Sequence, residues 1–185
     1  GNLYTGGVWQ ADGFDIAASG LIRLDHPVLS ENGGTVNLAA GSGIESTTRG
    51  TIKTTNTAGG KPGDVNIDVT GSGNIDLSGA ITTSSADAVL AVDSGTVNIT
   101  TADGSVAAGR ITTTGGSGTT GSAGDITLTA GDAGGDDDYD IVLTGEVAAL
   151  SSSGAAGDVT LTADGDILDG NFSGYDIAGA RAILT

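Results

Sequence analysis

Short runs in which apolar residues take every second position recur along the whole chain. In Val65-Asn66-Ile67-Asp68-Val69 the alternation has the period of a strand with one buried face. The run returns as Thr35-Val36-Asn37-Leu38, Thr96-Val97-Asn98-Ile99, Asp125-Ile126-Thr127-Leu128 and Asp158-Val159-Thr160-Leu161. Its apolar anchors Val36, Val65, Val97, Ile126 and Val159 stand 29, 32, 29 and 33 residues apart. Nothing sustains the 3.6-residue period of a helix, and the richness in Thr, Val and Ile suits strands.

A second apolar position follows each anchor, at Ile44, Ile75, Val106, Ile141 and Ile167. A third run follows in most repeats, around Ile52, Ile81, Ile111 and Val147, with Ile177 in the last. Each repeat therefore holds three short strands joined by Gly, Ser, Asn and Asp. An antiparallel sandwich also accommodates many short strands, but it does not require equivalent positions to resemble one another. A parallel β-helix does, because each turn lies on the next at about 4.8 Å and every residue stacks on its equivalent.

The prediction is an all-β chain forming a parallel β-helix, a β-solenoid with three short strands per turn and about five to six turns. It is one domain over 1–185. Five repeats fill 34–170, an irregular first turn or cap fills 1–33, and a last turn or cap fills 171–185. The anchors face inward, as do Leu38, Ile67, Ile99, Leu128 and Leu161. The row between them, Asn37, Asn66, Asn98, Thr127 and Thr160, faces outward, where stacked Asn amides can bond along the axis.

Composition narrows the functional classes. The formal charge is −17, with six Lys and Arg among 185 residues. That argues against a nucleic-acid partner, which needs clustered cations, and against an anionic membrane surface. No apolar run approaches the ~18 residues of a membrane span. Residues 1–20 lack a basic start and a continuous apolar core, so the chain reads as a mature or excised segment. The aromatic content of 3% fits a narrow core of medium aliphatic side chains, and the absence of Cys leaves no disulfide framework.

Gly-Asp-Ile-Thr-Leu-Thr-Ala at 124–130 and Gly-Asp-Val-Thr-Leu-Thr-Ala at 157–163 are each followed by an Asp-Ile segment. From residue 34 to about 170 this style of repeat resembles that of filamentous haemagglutinin-like large exoproteins. The resemblance implies a right-handed parallel β-helix and a role as stalk or adhesin on the surface of a Gram-negative bacterium. It supplies no shared catalytic residues. The chain departs from the family in lacking the amino-terminal secretion domain, and its repeat is longer than the shortest family repeats. The expected function is that of a non-catalytic, extracellular repeat segment, a rigid stalk or adhesive surface. Its expected partner is a glycan or matrix component on a host or neighbouring cell. Two rivals are a filament that self-associates end to end and a polysaccharide-active enzyme on the same fold.

Candidate chemistry concentrates in one loop. From anchor to second apolar position the repeats count 8, 10, 9, 15 and 8 residues. The long fourth interval carries Asp132, Asp136, Asp137, Asp138 and Asp140. Five carboxylates on one loop suit calcium, a hard cation taking 6–8 oxygen ligands. The alternative is a solvated acidic loop. Asp64, Asp125 and Asp158, each just before an anchor, read as turn residues capping backbone amides. Thr54 and Thr55, Thr82 and Thr83, and Thr112 to Thr114 raise the idea of a flat outward Thr array of the ice-binding kind, although Lys53 and Ala148 interrupt it. His26 is the sole His, and no Gly-x-Ser-x-Gly elbow is present. For an enzyme acting on uronates, Arg49, Lys53 and Lys61 are the candidate cations.

Overall fold

Every third strand pairs with its equivalent one turn away. The computed structural model describes residues 1–85, 92–116, 120–132, 135, 138–171 and 174–185. Twenty-one strands and no helix occur among the described residues, arranged as three seven-stranded parallel sheets. The first sheet runs from Leu3–Tyr4 through Leu21–Leu24, Gly43–Ser46, Ile75–Leu77, Val106–Ala108 and Ile141–Leu143 to Ile167–Asp169. The second runs from Trp9–Ala11 through Val28–Ser30, Ile52–Asn56, Ile81–Ser85, Ile111–Thr114 and Val147–Ala149 to Ile177–Ala178. The third holds the anchors, from Phe14–Ala18 through Val36–Ala40, Val65–Ser72, Val97–Gly104, Ile126–Asp132 and Val159–Ala163 to Ala182–Leu184. Seven coils at about 4.8 Å per step make a rod roughly 30 Å long.

The predicted rows stack in register. Val36 pairs with Val65, Val65 with Val97, Val97 with Ile126 and Ile126 with Val159. All five are at most 1% exposed. Alternation then fixes the faces, and Leu38, Ile67, Ile99, Leu128 and Leu161 join them inside. The Asn row lies outside and bonds along the axis: Asn66 Nδ2 donates to Asn37 Oδ1 at 2.8 Å and Asn98 Nδ2 to Asn66 Oδ1 at 3.0 Å. Such a core is continuous, yet each coil touches only its neighbours, so stability accrues coil by coil.

The ends are more regular than the sequence suggests. Residues 1–33 hold five strands, and Phe14 stacks on Val36 in the anchor row. At the other end Ala182 stacks on Val159. The solenoid thus has seven turns where five to six are expected. The end coils are hard to see in sequence because their anchors lie 22 and 23 residues from the next. Much of the difference sits at the corner between second and third sheets. Within the 22- and 23-residue intervals that corner spans 5 and 3 residues, against 8, 11, 11 and 9 in the four intervals between.

In four of the five middle coils a buried hydroxyl and a glycine carbonyl close this corner, at lengths from 5 to 11 residues. Ser30 Oγ donates to Gly34 O at 2.5 Å, Thr54 Oγ1 to Gly63 O at 2.7 Å, Thr83 Oγ1 to Gly95 O at 2.8 Å and Thr113 Oγ1 to Gly124 O at 2.5 Å. All four hydroxyl residues lie at most 1% exposed, so each bond satisfies a group that burial would otherwise penalise. In the sixth coil Ala149 takes the position, and the corner closes through Gly157 N–H to Ala149 O at 3.0 Å. The glycines have a steric reason. A Cβ on Gly95 would lie 2.2 Å from Gly63 O, and one on Gly124 2.2 Å from Gly95 O. Backbone meets backbone there, and no side chain can move aside. Beyond the clamp the loops themselves stack, with Ser94 N–H to Ser122 O and Ala123 N–H to Ala155 O, both 2.9 Å.

Candidate functional surface

Backbone amides at the turns need partners once strands stop pairing, and short polar side chains supply them. Asp64 Oδ1 accepts the N–H of Thr96 at 2.8 Å, and Asp125 Oδ1 that of Asp158 at 2.8 Å. These are equivalent residues one coil apart, so the Asp row is a set of caps between coils. Asp158 ends the row differently: its carboxylate binds the Arg181 guanidinium. Hydrogen bonding from Arg181 holds the Asp158 carboxyl below its ordinary range and raises Arg181 in return. Hydrogen bonding to Asp25 raises Arg23 in the same way.

The acidic insertion bridges the third sheet to the first. Asp132 closes the strand Ile126–Asp132, its backbone opposite Asp103. Asp136 and Asp137 lie outside the described residues. Asp138 is exposed. Asp140 is tied to the coils on either side, since its Oδ1 accepts the N–H of Asp166 at 2.8 Å and its own N–H donates to Ser105 Oγ at 3.1 Å. Sequence reasoning groups it with the ligand candidates, but its register is that of Asn74, whose Oδ1 accepts the N–H of Ser105 at 3.0 Å. Among the described residues no three acidic or imidazole side chains stand close enough together to hold one metal ion.

Beside this insertion a shallow cleft of about 490 Å³ opens on the first sheet, lined by Leu21, Gly43, Glu45, Asn74, Asp76, Asp103 and Tyr139 among others. Three carboxylates and no cation line it. Ser72 Oγ donates to Asp103 Oδ2 at 2.6 Å, and Arg23 stands 3.8 Å from Glu45. The field of such a cleft favours cations or neutral polar molecules and repels anionic polymers. Lys53 points outward from the second sheet, and Lys61 sits 3.5 Å from Asp64. Neither lines the cleft, and nor does Arg49.

The Thr pairs divide between faces. Thr54, Thr83 and Thr113 point into the solenoid, while Thr55, Thr82 and Thr112 alternate to the outside. No flat array of both residues of each pair exists. The corner clamps are the feature that sequence reasoning missed. The available signal was a Gly two residues before every anchor, at 34, 63, 95, 124 and 157. His26 lies at a corner, its N–H donated to Thr5 Oγ1 at 3.0 Å.

No protein-family model, curated protein or solved structure matches this chain.

Proposed function

We propose that the chain is a non-catalytic repeat segment of a bacterial surface exoprotein, displayed outside the cell as a rigid stalk or adhesive surface. The observation that carries this reading is the stacking of seven coils in three continuous parallel sheets. A rod whose three sheets run its full length bends little, and its variable corners project without disturbing the core. The repeat's resemblance to filamentous haemagglutinin-like exoproteins points the same way, as does an acidic, cation-poor surface with no nucleic-acid footprint. The partner is a glycan or matrix component of a host or neighbouring cell. Calcium is the ion proposed for the insertion bearing Asp132, Asp136, Asp137 and Asp138, where it would offset repulsion among the carboxylates.

Two measurements on the 185-residue chain test this. Coated beads should adhere to glycan-bearing cells, and adhesion should fall when soluble chain is added in excess; beads that bind no better than albumin-coated ones would overturn the adhesive role. A melt followed by far-UV circular dichroism should shift upward in calcium relative to chelator, and the shift should disappear in an Asp136→Asn, Asp137→Asn, Asp138→Asn variant. Equal melting in both conditions would reduce the insertion to a solvated acidic surface.

A further inference from the structure

The carboxylates of this chain are unevenly shared among its three sheets. Glu45, Asp76 and Asp169 lie in strands of the first sheet, and Asp15, Asp68, Asp103 and Asp132 in strands of the third. No strand of the second sheet holds an Asp or a Glu, in a chain that has 23 of them. The cations divide in the opposite sense. Arg23, Lys61 and Arg181 each pair with an Asp. Arg49, Lys53 and Arg110 are exposed and form no ion pair among the described residues. All three belong to the second sheet or to the corner that leads into it. Lys53 faces outward from the strand Ile52–Asn56, Arg49 stands in the turn before that strand, and Arg110 immediately precedes the strand Ile111–Thr114.

These cations sit on the third and fifth coils, whose strands are paired on both sides. The outward row of Lys53 continues through Thr82 and Thr112 to Ala148. Small residues along that row leave the surface between the cations low and flat. Lys53 and Arg110 are two coils apart along the axis, about 10 Å, which is the scale of a disaccharide unit. Thr112 adds an orphan: its Oγ1 is screened from water and has no hydrogen-bond partner among the described residues. A buried hydroxyl left unpaired costs free energy, so a ligand that engages it gains. Rotation about χ1 exchanges this oxygen with the methyl and presents it to whatever lies on the row. Glu31 in the second coil and Glu146 in the sixth border the patch.

We propose that the second-sheet face of the third to fifth coils binds a linear glycan in which a uronic acid alternates with a neutral sugar, laid along the rod axis. Arg110 grips one carboxylate through its forked guanidinium. Lys53 meets the carboxylate of the next disaccharide, and Arg49 adds a third cation at the corner. The Thr row between them bonds to ring hydroxyls. Charge density selects the ligand. Three cations suffice for a chain with one carboxylate per disaccharide. They are too few for a polysulfated chain or a nucleic acid, which the net charge of −17 repels. This inference rests on the reading of the rod as a glycan-binding display segment, and it gives that partner a chemical class and a face.

Titration of the full chain into a fluorescent hyaluronan decasaccharide, in which glucuronate alternates with N-acetylglucosamine, tests it by anisotropy at low salt. Binding should saturate, and it should weaken as salt is added because the pairs are exposed. Lys53→Gln and Arg110→Gln, each checked for an unchanged strand spectrum, should weaken it about threefold singly and about tenfold together. Lys61→Gln changes the net charge equally at a paired cation off the face, and it should leave binding unaltered. The carboxyl-reduced decasaccharide should bind about tenfold more weakly. No binding at low salt would overturn the proposal, as would equal binding of the reduced sugar or equal losses in Lys61→Gln and Lys53→Gln. Tighter binding of heparin than of hyaluronan would overturn it too. Bead adhesion to cells without decasaccharide binding defeats this inference and leaves the adhesive reading standing; decasaccharide binding without adhesion does the reverse.

Discussion

A single hydroxyl can decide whether a corner of this solenoid closes. Thr83 is fully buried and shares its hydroxyl between Gly95 O at 2.8 Å and Ser94 Oγ at 3.0 Å. Thr83→Val keeps the shape and removes the donor, leaving a buried carbonyl with one partner fewer. Urea denaturation should show a loss of about 1–3 kcal/mol. The outward neighbour Thr82 forms no such bond, and Thr82→Val should change stability by less than about 0.5 kcal/mol. Equal effects at the two positions would contradict the clamp. The contrast matters because both residues look alike in sequence and both are good strand formers.

At the scale of the element, the corner between second and third sheets absorbs length variation that the strands cannot. A strand lengthened by one residue turns its whole apolar set outward. A corner lengthened beyond its clamp adds only loop entropy. Doubling the eight-residue corner 57–64 with Gly and Ser inserted after Ala58 should cost about 0.6 kcal/mol. The same insertion within Val65–Ser72 should abolish the cooperative transition, and a cooperative melt in that variant would contradict the register. The repeat length of 29–33 residues is therefore set by the corners, and the minimal coil is the 22 or 23 residues found at the ends.

For the whole molecule, nearest-neighbour stacking predicts a gradient of stability along the axis. Each middle coil has two neighbours, whereas the last is held by the strand Ala182–Leu184 against Val159–Ala163 and by the Asp158–Arg181 pair. Because pairing lowers the Asp158 pKa, its contribution is present above the unfolded value and is lost as pH falls through the folded one. For a carboxyl held below its ordinary ~3.9, that window lies under about pH 4. Arg181, its pKa raised by the same pair, stays protonated across that window, so protonation of Asp158 alone decides when the pair is lost at low pH, and the pair is otherwise lost only on going strongly basic. Hydrogen exchange should therefore find the amide of Val159, bonded to Arg181 O at 2.9 Å, losing protection relative to Val97 as pH is lowered through this window. Arg181→Ala should produce the same loss at neutral pH. Uniform protection from coil to coil would contradict the gradient.

The sequence by itself determined the all-β class, the stacked rows of Val36 and Leu38, the three strands of each middle coil and the Asn ladder. These follow from alternation and repetition, which are local and self-consistent: a position that must stack on its equivalent has to resemble it. The tertiary structure alone decided the rest. It placed Phe14 and Ala182 in the anchor row, where neither the residue type nor the 22- and 23-residue spacing repeats that of the middle coils. It turned Thr83 inward and Thr82 outward, a parity set by where the strand begins. It made Asp140 a cap for Asp166, 26 residues away, because a side chain at a corner is committed by the coil that lies against it.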